Sequence, residues 1–213
     1  MNRQLDLFNL NSATNTSSDD TGLLNHPRTV GCLGVSADIS YERDNLDYYA
    51  TDPIAAEWLI QLENLNNNVW ECACGEGNLG KVFERHGFNV KATDLIDRGY
   101  GQGGIDFLFY SEPYNGDIVT NPPYQLAQPF IEHALALIPT GNKVCMFLKV
   151  QFLEGKSRRN LFETCPPRRV WISSSRIQCS KQNATLANGS MVAYAWYVWE
   201  KGYKGTTELR WFN

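Results

Sequence analysis

Two short stretches hold the residues best suited to chemistry. The first, ECACGEG at 71–77, sets Gly75 and Gly77 beside the carboxylates of Glu71 and Glu76. Glycines at this spacing allow a ligand to approach the backbone closely, as in nucleotide-binding turns. The third glycine of the dinucleotide fingerprint is absent, and carboxylates next to a pyrophosphate would repel it. The turn therefore suits a ligand whose nearby end is cationic and free of phosphate. Asp94, 17 residues beyond Gly77, can accept hydrogen bonds from two ribose hydroxyls. The competing reading makes it a turn residue at the end of a strand. The second stretch is DIVTNPPY, 117–124, in which Ile118 and Val119 lead into Asn121, Pro122, Pro123 and Tyr124. Proline removes a backbone donor and stops both sheet and helix, so a stiff loop should follow a buried strand here.

The elements needed to hold these residues are legible around them. Asp52 can cap a helix with Pro53 in its first position, and Ile54, Trp58 and Leu62 recur at i, i+4 and i+8. Thr51 is a second candidate for that cap. Val69–Ala73 predicts a strand, Leu79, Val82 and Phe83 a helical face, Gly87 its stop, and Phe88–Thr93 a second strand ending at Asp94. Strand, glycine turn, helix, strand and acid form the βαβ nucleotide-binding pattern. Ile105–Phe109 is expected as a third strand and Asp117–Thr120 as a fourth. A helix face runs through Leu126, Phe130, Ile131, Ala134, Leu137 and Ile138, which Pro129 permits if it falls in the first turn. NKVCMFLKV, RRVWISSS and MVAYAWYVWEK complete seven strands, with KSRRNLFE helical between the first two.

Alternating strands and helices predict an α/β fold, an open and largely parallel sheet with helices on both faces. In such sheets ligands bind beyond the carboxyl ends of the strands. The glycine turn, Asp94, Asp106 and the NPPY loop all follow predicted strands, so they should converge on one rim. Residues 1–40, rich in Asn, Ser, Thr, Asp and Gly, read as a flexible polar arm before a domain spanning 41–213.

Bulk properties narrow the function classes. No apolar run approaches the roughly 18 residues that a membrane helix needs. The first twenty residues lack the apolar core of a secretory signal, so a cytoplasmic location is expected. The six cysteines are scattered, and Cys72 and Cys74 have no partner pair at zinc-site spacing, so no metal is expected. The net charge of −4 conceals an asymmetry: residues 1–140 hold 7 Lys and Arg against 19 Asp and Glu, whereas 141–213 hold 12 against 4. A basic last third can face a polyanion, or its charges can be dispersed over a solvated surface.

Taken together, these motifs resemble those of S-adenosylmethionine-dependent amino-methyltransferases, above all the DNA adenine-N6 enzymes of NPPY type. ECACGEG resembles their first motif, TDL with Asp94 the second, IDF with Asp106 the third, and DIVTNPPY the catalytic one. DYYATDP resembles the segment that helps hold the cofactor's methionine end. The resemblance covers roughly residues 45–200, and the motif order with a short basic tail looks like small phage- or prophage-encoded enzymes. It implies a Rossmann-like class I methyltransferase fold and S-adenosylmethionine as cofactor. Glu71 and the backbone from Ala73 through Gly75 to Gly77 would surround the methionine moiety, with Tyr49 and Thr51 near its amino-acid end. Asp94 would hold the ribose, and Asp106 with Phe107 the adenine.

The same resemblance explains the proline loop. An exocyclic purine amine is a poor nucleophile because its lone pair is delocalised into the ring. Acceptors at its two protons, from the Asn121 side chain and the Pro122 carbonyl, favour a pyramidal nitrogen with an available lone pair. Pro122 and Pro123 aim those acceptors in advance, and Tyr124 offers a face for an extruded base. DNA, as a duplex with a flipped adenine, is the expected partner, with Lys156, Arg158, Arg159 and Arg176 as the expected contacts. RNA adenine-N6 and protein glutamine-N5 methylation, or a catalytically inactive DNA-binding relative, are the alternatives.

Overall fold

The computed structural model describes residues 50–175, 177, 179–180 and 192–212. The predicted arm over 1–40, Tyr49 and Arg176 lie outside the described residues. Nine strands are found among those described: β1 (Ala50–Thr51), β2 (Asn68–Glu71), β3 (Asn89–Ala92), β4 (Asp117–Thr120), β5 (Lys143–Lys149), β6 (Arg169–Ser173), β7 (Cys179–Ser180), β8 (Tyr194–Glu200) and β9 (Glu208–Phe212). Seven of them form one sheet in the order β3-β2-β4-β5-β8-β6-β9. Four of its six pairings are parallel, and β8 alone runs against both neighbours. The remaining two, β1 and β7, make a short antiparallel ribbon.

Helices cover both faces, as expected. On one side α1 (Ile54–Leu62) and α2 (Gly80–Arg85) pack with Val119, Phe147 and Trp196; on the other, α3 (Ala127–Leu137) and α4 (Arg159–Thr164) pack with Ile118, Met146 and Tyr197. The two faces of β4 and β5 are both sealed, which is why their sequences are apolar without a break. Buried tryptophans carry the core, and each indole N–H is satisfied: Trp70 donates to Thr93 Oγ1 at 2.9 Å, Trp196 to the Ala55 carbonyl at 2.8 Å, and Trp199 to the Cys165 carbonyl at 3.0 Å.

Three expectations are corrected. Ile105–Phe109 is not a strand. Asp106 accepts the Leu108 N–H at 3.0 Å and caps a 3-10 turn, Phe107–Phe109, so the chain turns before it can pair. The sheet nonetheless has seven strands because β9 adds to β6, a strand hidden in the sequence since its apolar Leu209 and Trp211 face outward. Finally, α1 buries Ala55, Ala56 and Leu59 and leaves Ile54 exposed. Small alanines let this helix sit close enough to the sheet for Trp196 to reach a helix carbonyl.

Candidate active site

The glycine turn is built by backbone N–H groups donating to carboxylates. Glu71, at the end of β2 and 2% exposed, accepts the Gly80 N–H at 2.7 Å and so ties the strand end to the start of α2. Asp94, just past β3, accepts the Gly75 N–H at 2.8 Å through one oxygen and the Ile96 N–H at 2.9 Å through the other. Each oxygen still has a second lone pair for a ligand hydroxyl. Gly75 and Gly77 both have positive φ, which glycine adopts without strain. At Gly77 an added Cβ would also lie 2.4 Å from the Tyr100 ring. Tyr100 presses on the turn and donates to Glu84 at 3.1 Å, so that glycine makes room for a tyrosine.

A single cleft lies above this turn. Thr51, Glu71, Ala73, Asp94, Asp106, Phe107 and the whole of Asn121–Tyr124 line it; Gly75 and Gly77 shape the turn without lining the cleft. Counting the space at its open mouth, it holds about 990 Å³. Its acidic and basic side chains are three carboxylates, Glu71, Asp94 and Asp106, and one guanidinium, that of Arg98. Burial pushes the Glu71 carboxyl well above the usual range against the opposing Gly80 hydrogen bond, and Asp94 adds to the rise. Cys74 is pushed up to about 12 and Cys72 well up, in both cases by burial first and then by Glu71. Neither thiol is a thiolate at neutral pH, so neither acts as a nucleophile there. Among the described residues no cluster of His, Cys, Asp or Glu converges on a metal position, and no helix is long and apolar enough to cross a membrane.

Arg98, Leu95 and Leu126 also reach the cleft; no local pattern marks Arg98 or Leu95, and Leu126, expected on the face of α3, sits instead in a 3-10 turn before that helix. Leu95 and Leu126 are large apolar side chains left 47% and 41% exposed at its mouth.

No family model matches the sequence, and no curated protein is similar to it. Solved structures do match. The Thermoplasma acidophilum protein 1320 superposes with a TM-score of 0.54 at 16% identity, over 77% of this chain and 98% of that one. A 1,6-didemethyltoxoflavin-N1-methyltransferase from Burkholderia thailandensis, solved with 1,6-didemethyltoxoflavin and S-adenosylhomocysteine, matches with a TM-score of 0.50 at 12% identity, over 85% and 92%. The fold is that of class I methyltransferases. Against TrmN from Thermus thermophilus (20% identity, TM-score 0.47) the chain is similar over 70% of its own length but only 48% of that protein's.

Within this methyltransferase fold the NPPY loop leaves the carboxyl end of β4, next to β2 and its glycine turn. The Asn121 side-chain nitrogen donates to Thr51 Oγ1 at 2.8 Å. Thr51 is therefore occupied with the loop, and the helix cap falls to Asp52, whose carboxylate accepts the Ile54 N–H at 3.0 Å. Tyr124 packs between the two cores, and the Lys149 ammonium lies 4.5 Å from its ring centroid.

The basic candidates divide. Lys156 is exposed on a 3-10 turn, Lys156–Arg158. Arg159 pairs with Glu163 at 2.6 Å. Arg158 lines a second, more polar cleft beside Tyr124, but its guanidinium donates to the Phe152, Gln151 and Glu154 carbonyls of its own loop. Elsewhere in the basic third, Arg168 pairs with Glu200, Arg169 with Glu63 and Arg210 with Glu208. Much of the positive excess thus serves to hold the fold. Replacing Arg158 by Ala should cost about 0.5–1.5 kcal/mol of stability, chiefly through the lost bond to the part-buried Phe152 carbonyl, read as a lower midpoint in urea unfolding. An unchanged midpoint would show that those bonds do not hold the loop.

Proposed function

We propose that this protein binds S-adenosylmethionine in the acid-lined cleft and methylates the N6 amine of adenine in DNA. The lining fits the cofactor's chemistry: Glu71 and Asp94 suit a ligand with a cationic end and a ribose, and Leu95, Ile96 and Phe107 offer apolar walls for an adenine ring. The bound cofactor would supply an electrophilic methyl group on a sulfonium. Asn121 and the Pro122 carbonyl would accept hydrogen bonds from the two N–H groups of the target amine, and the prolines would keep those acceptors in place without rearrangement. As the N–C bond forms the methyl–sulfur bond would break, and the amine would then lose one proton to water. The observation that carries the reading is the Asn121–Thr51 bond, which commits the amide nitrogen to Thr51 and directs the carbonyl end away from it.

Support for DNA over other acceptors is the order of the sequence motifs. The deciding experiment incubates the protein with methyl-labelled cofactor and, separately, duplex DNA, RNA, a glutamine-bearing protein and adenosine, followed by mass analysis. N6-methyladenine in the duplex is expected. Label confined to RNA, protein or adenosine would replace DNA with that acceptor, and no label in any would overturn the methyltransferase reading.

The buried Glu71 makes ligand binding depend on pH. Its raised pKa means that ionising it costs the unliganded protein stability, a cost that appears as pH rises through the folded pKa. A cationic ligand beside it favours the ionised form, so binding releases a proton and affinity rises with pH. Titration calorimetry with S-adenosylhomocysteine in buffers of different ionisation heat should detect that proton, and Glu71→Gln should abolish it. Proton uptake instead of release would contradict the assignment.

A further inference from the structure

We propose that Thr51 is a positioning residue for Asn121: its hydroxyl holds the side-chain amide in the orientation that turns an acceptor toward the substrate amine, and the cofactor's amino-acid end is held by other groups. This rests on the amine-methylation reading above. A primary amide has a donor end and an acceptor end of nearly the same shape. Only one orientation suits an amine that must donate both of its N–H groups, because the reversed amide would aim N–H groups at N–H groups. Nothing in Pro122 or Pro123 decides between the two, since both constrain backbone and leave the Asn121 side-chain torsion untouched.

Thr51 holds that torsion: a hydroxyl can pair with either end of an amide, and here it pairs with the nitrogen. Its hydroxyl accepts from Asn121 Nδ2 at 2.8 Å, across 70 residues of sequence. The threonine is 4% exposed, so this hydroxyl has little water to turn to. Its backbone is held in place by the ribbon, in which Thr51 sits opposite Cys179. The helix that follows does not need it, because Asp52 takes the capping role. Thr51 therefore lies buried, fixed from behind and aimed at the catalytic loop.

The test uses the full chain with Thr51→Val, which keeps the shape and removes the acceptor, and Thr51→Ser, which keeps the hydroxyl. With an adenine-containing duplex, Thr51→Val should lower kcat about 10- to 100-fold, the scale of a misaligned reacting group. Thr51→Ser should recover most of it. The dissociation constant for S-adenosylhomocysteine, measured without turnover, should stay within about twofold in both. In an Asn121→Ala background Thr51→Val should cause no further loss, because the partner it orients is gone. A separate readout needs no acceptor at all: the Asn121 side-chain amide protons should show one slowly exchanging signal in nitrogen-edited NMR spectra, lost in Thr51→Val and kept in Thr51→Ser.

A tenfold weaker affinity for S-adenosylhomocysteine with kcat intact would make Thr51 a cofactor contact and overturn the inference. So would additive losses in the double variant, or an amide signal unchanged by Thr51→Val. If the native protein methylates no adenine, the substrate reading fails by itself, and the NMR comparison still judges Thr51.

Discussion

Asn121→Ala is expected to yield a folded protein that binds S-adenosylhomocysteine normally and transfers methyl at less than about one-hundredth of the native rate. The scale follows from other preorganised polar groups aimed at a reacting centre, whose removal costs about 10²–10³ in kcat. Asn121 is half-buried on a loop that begins where β4 ends, and its neighbours Pro122 and Pro123 keep the backbone in place when the side chain is cut back. Cofactor affinity should survive because the carboxylates at Glu71 and Asp94 are anchored to Gly80, Gly75 and Ile96, not to Asn121. Rate and affinity are measured separately, by label incorporation and by calorimetry. A native rate in Asn121→Ala would remove this side chain from the chemistry.

Glu63→Ala should cost about 3–5 kcal/mol of stability, the largest loss expected outside the hydrophobic core. Glu63 closes α1 with its side chain only 1% exposed, where it accepts from Arg169 at 2.5 and 2.6 Å and from the Trp171 indole at 2.8 Å. Removing the carboxylate leaves a guanidinium and an indole N–H inside the protein without their acceptor. Burial alone would raise the Glu63 pKa, but the hydrogen bonds from Arg169 and Trp171 outweigh it and hold the carboxyl below the ordinary value. A depressed folded pKa gives stability that is complete above the unfolded value near 4.5 and disappears as pH falls through the folded one. Urea unfolding of the native protein should therefore weaken at acid pH, and Glu63→Gln should flatten that part of the profile. An acid limb equally steep in Glu63→Gln would assign the loss to other carboxylates.

What could be read from the sequence was what its neighbours dictate. Asp117–Thr120 stands out as a strand because an unbroken apolar run meets two prolines, and its bounds were legible to the residue. The convergence of the glycine turn, Asp94, Asp106 and NPPY followed from sheet topology, and all four border one cleft, the glycine turn through Ala73 and Cys74. Ile105–Phe109 misled because its composition suits a strand while Asp106 turns the chain back on itself. Strand β9 was hidden for the opposite reason, with its large side chains on the outside. The Thr51–Asn121 bond and the burial of Glu63 against Arg169, 106 residues away, are properties of assembly with no local pattern to announce them. Arg158 shows the limit of counting charges, since a cation that looked available for a phosphate is held by carbonyls of its own loop.

The reversed course of β8 has a practical side. Because it runs against β5 and β6, the connection into β9 emerges at the end of the molecule opposite the cleft. Lys204, Gly205 and Thr206 are exposed there, in a tip of the kind that accepts inserted chain. A fluorophore, affinity handle or fusion partner spliced at that tip would report on the molecule while standing clear of its chemistry.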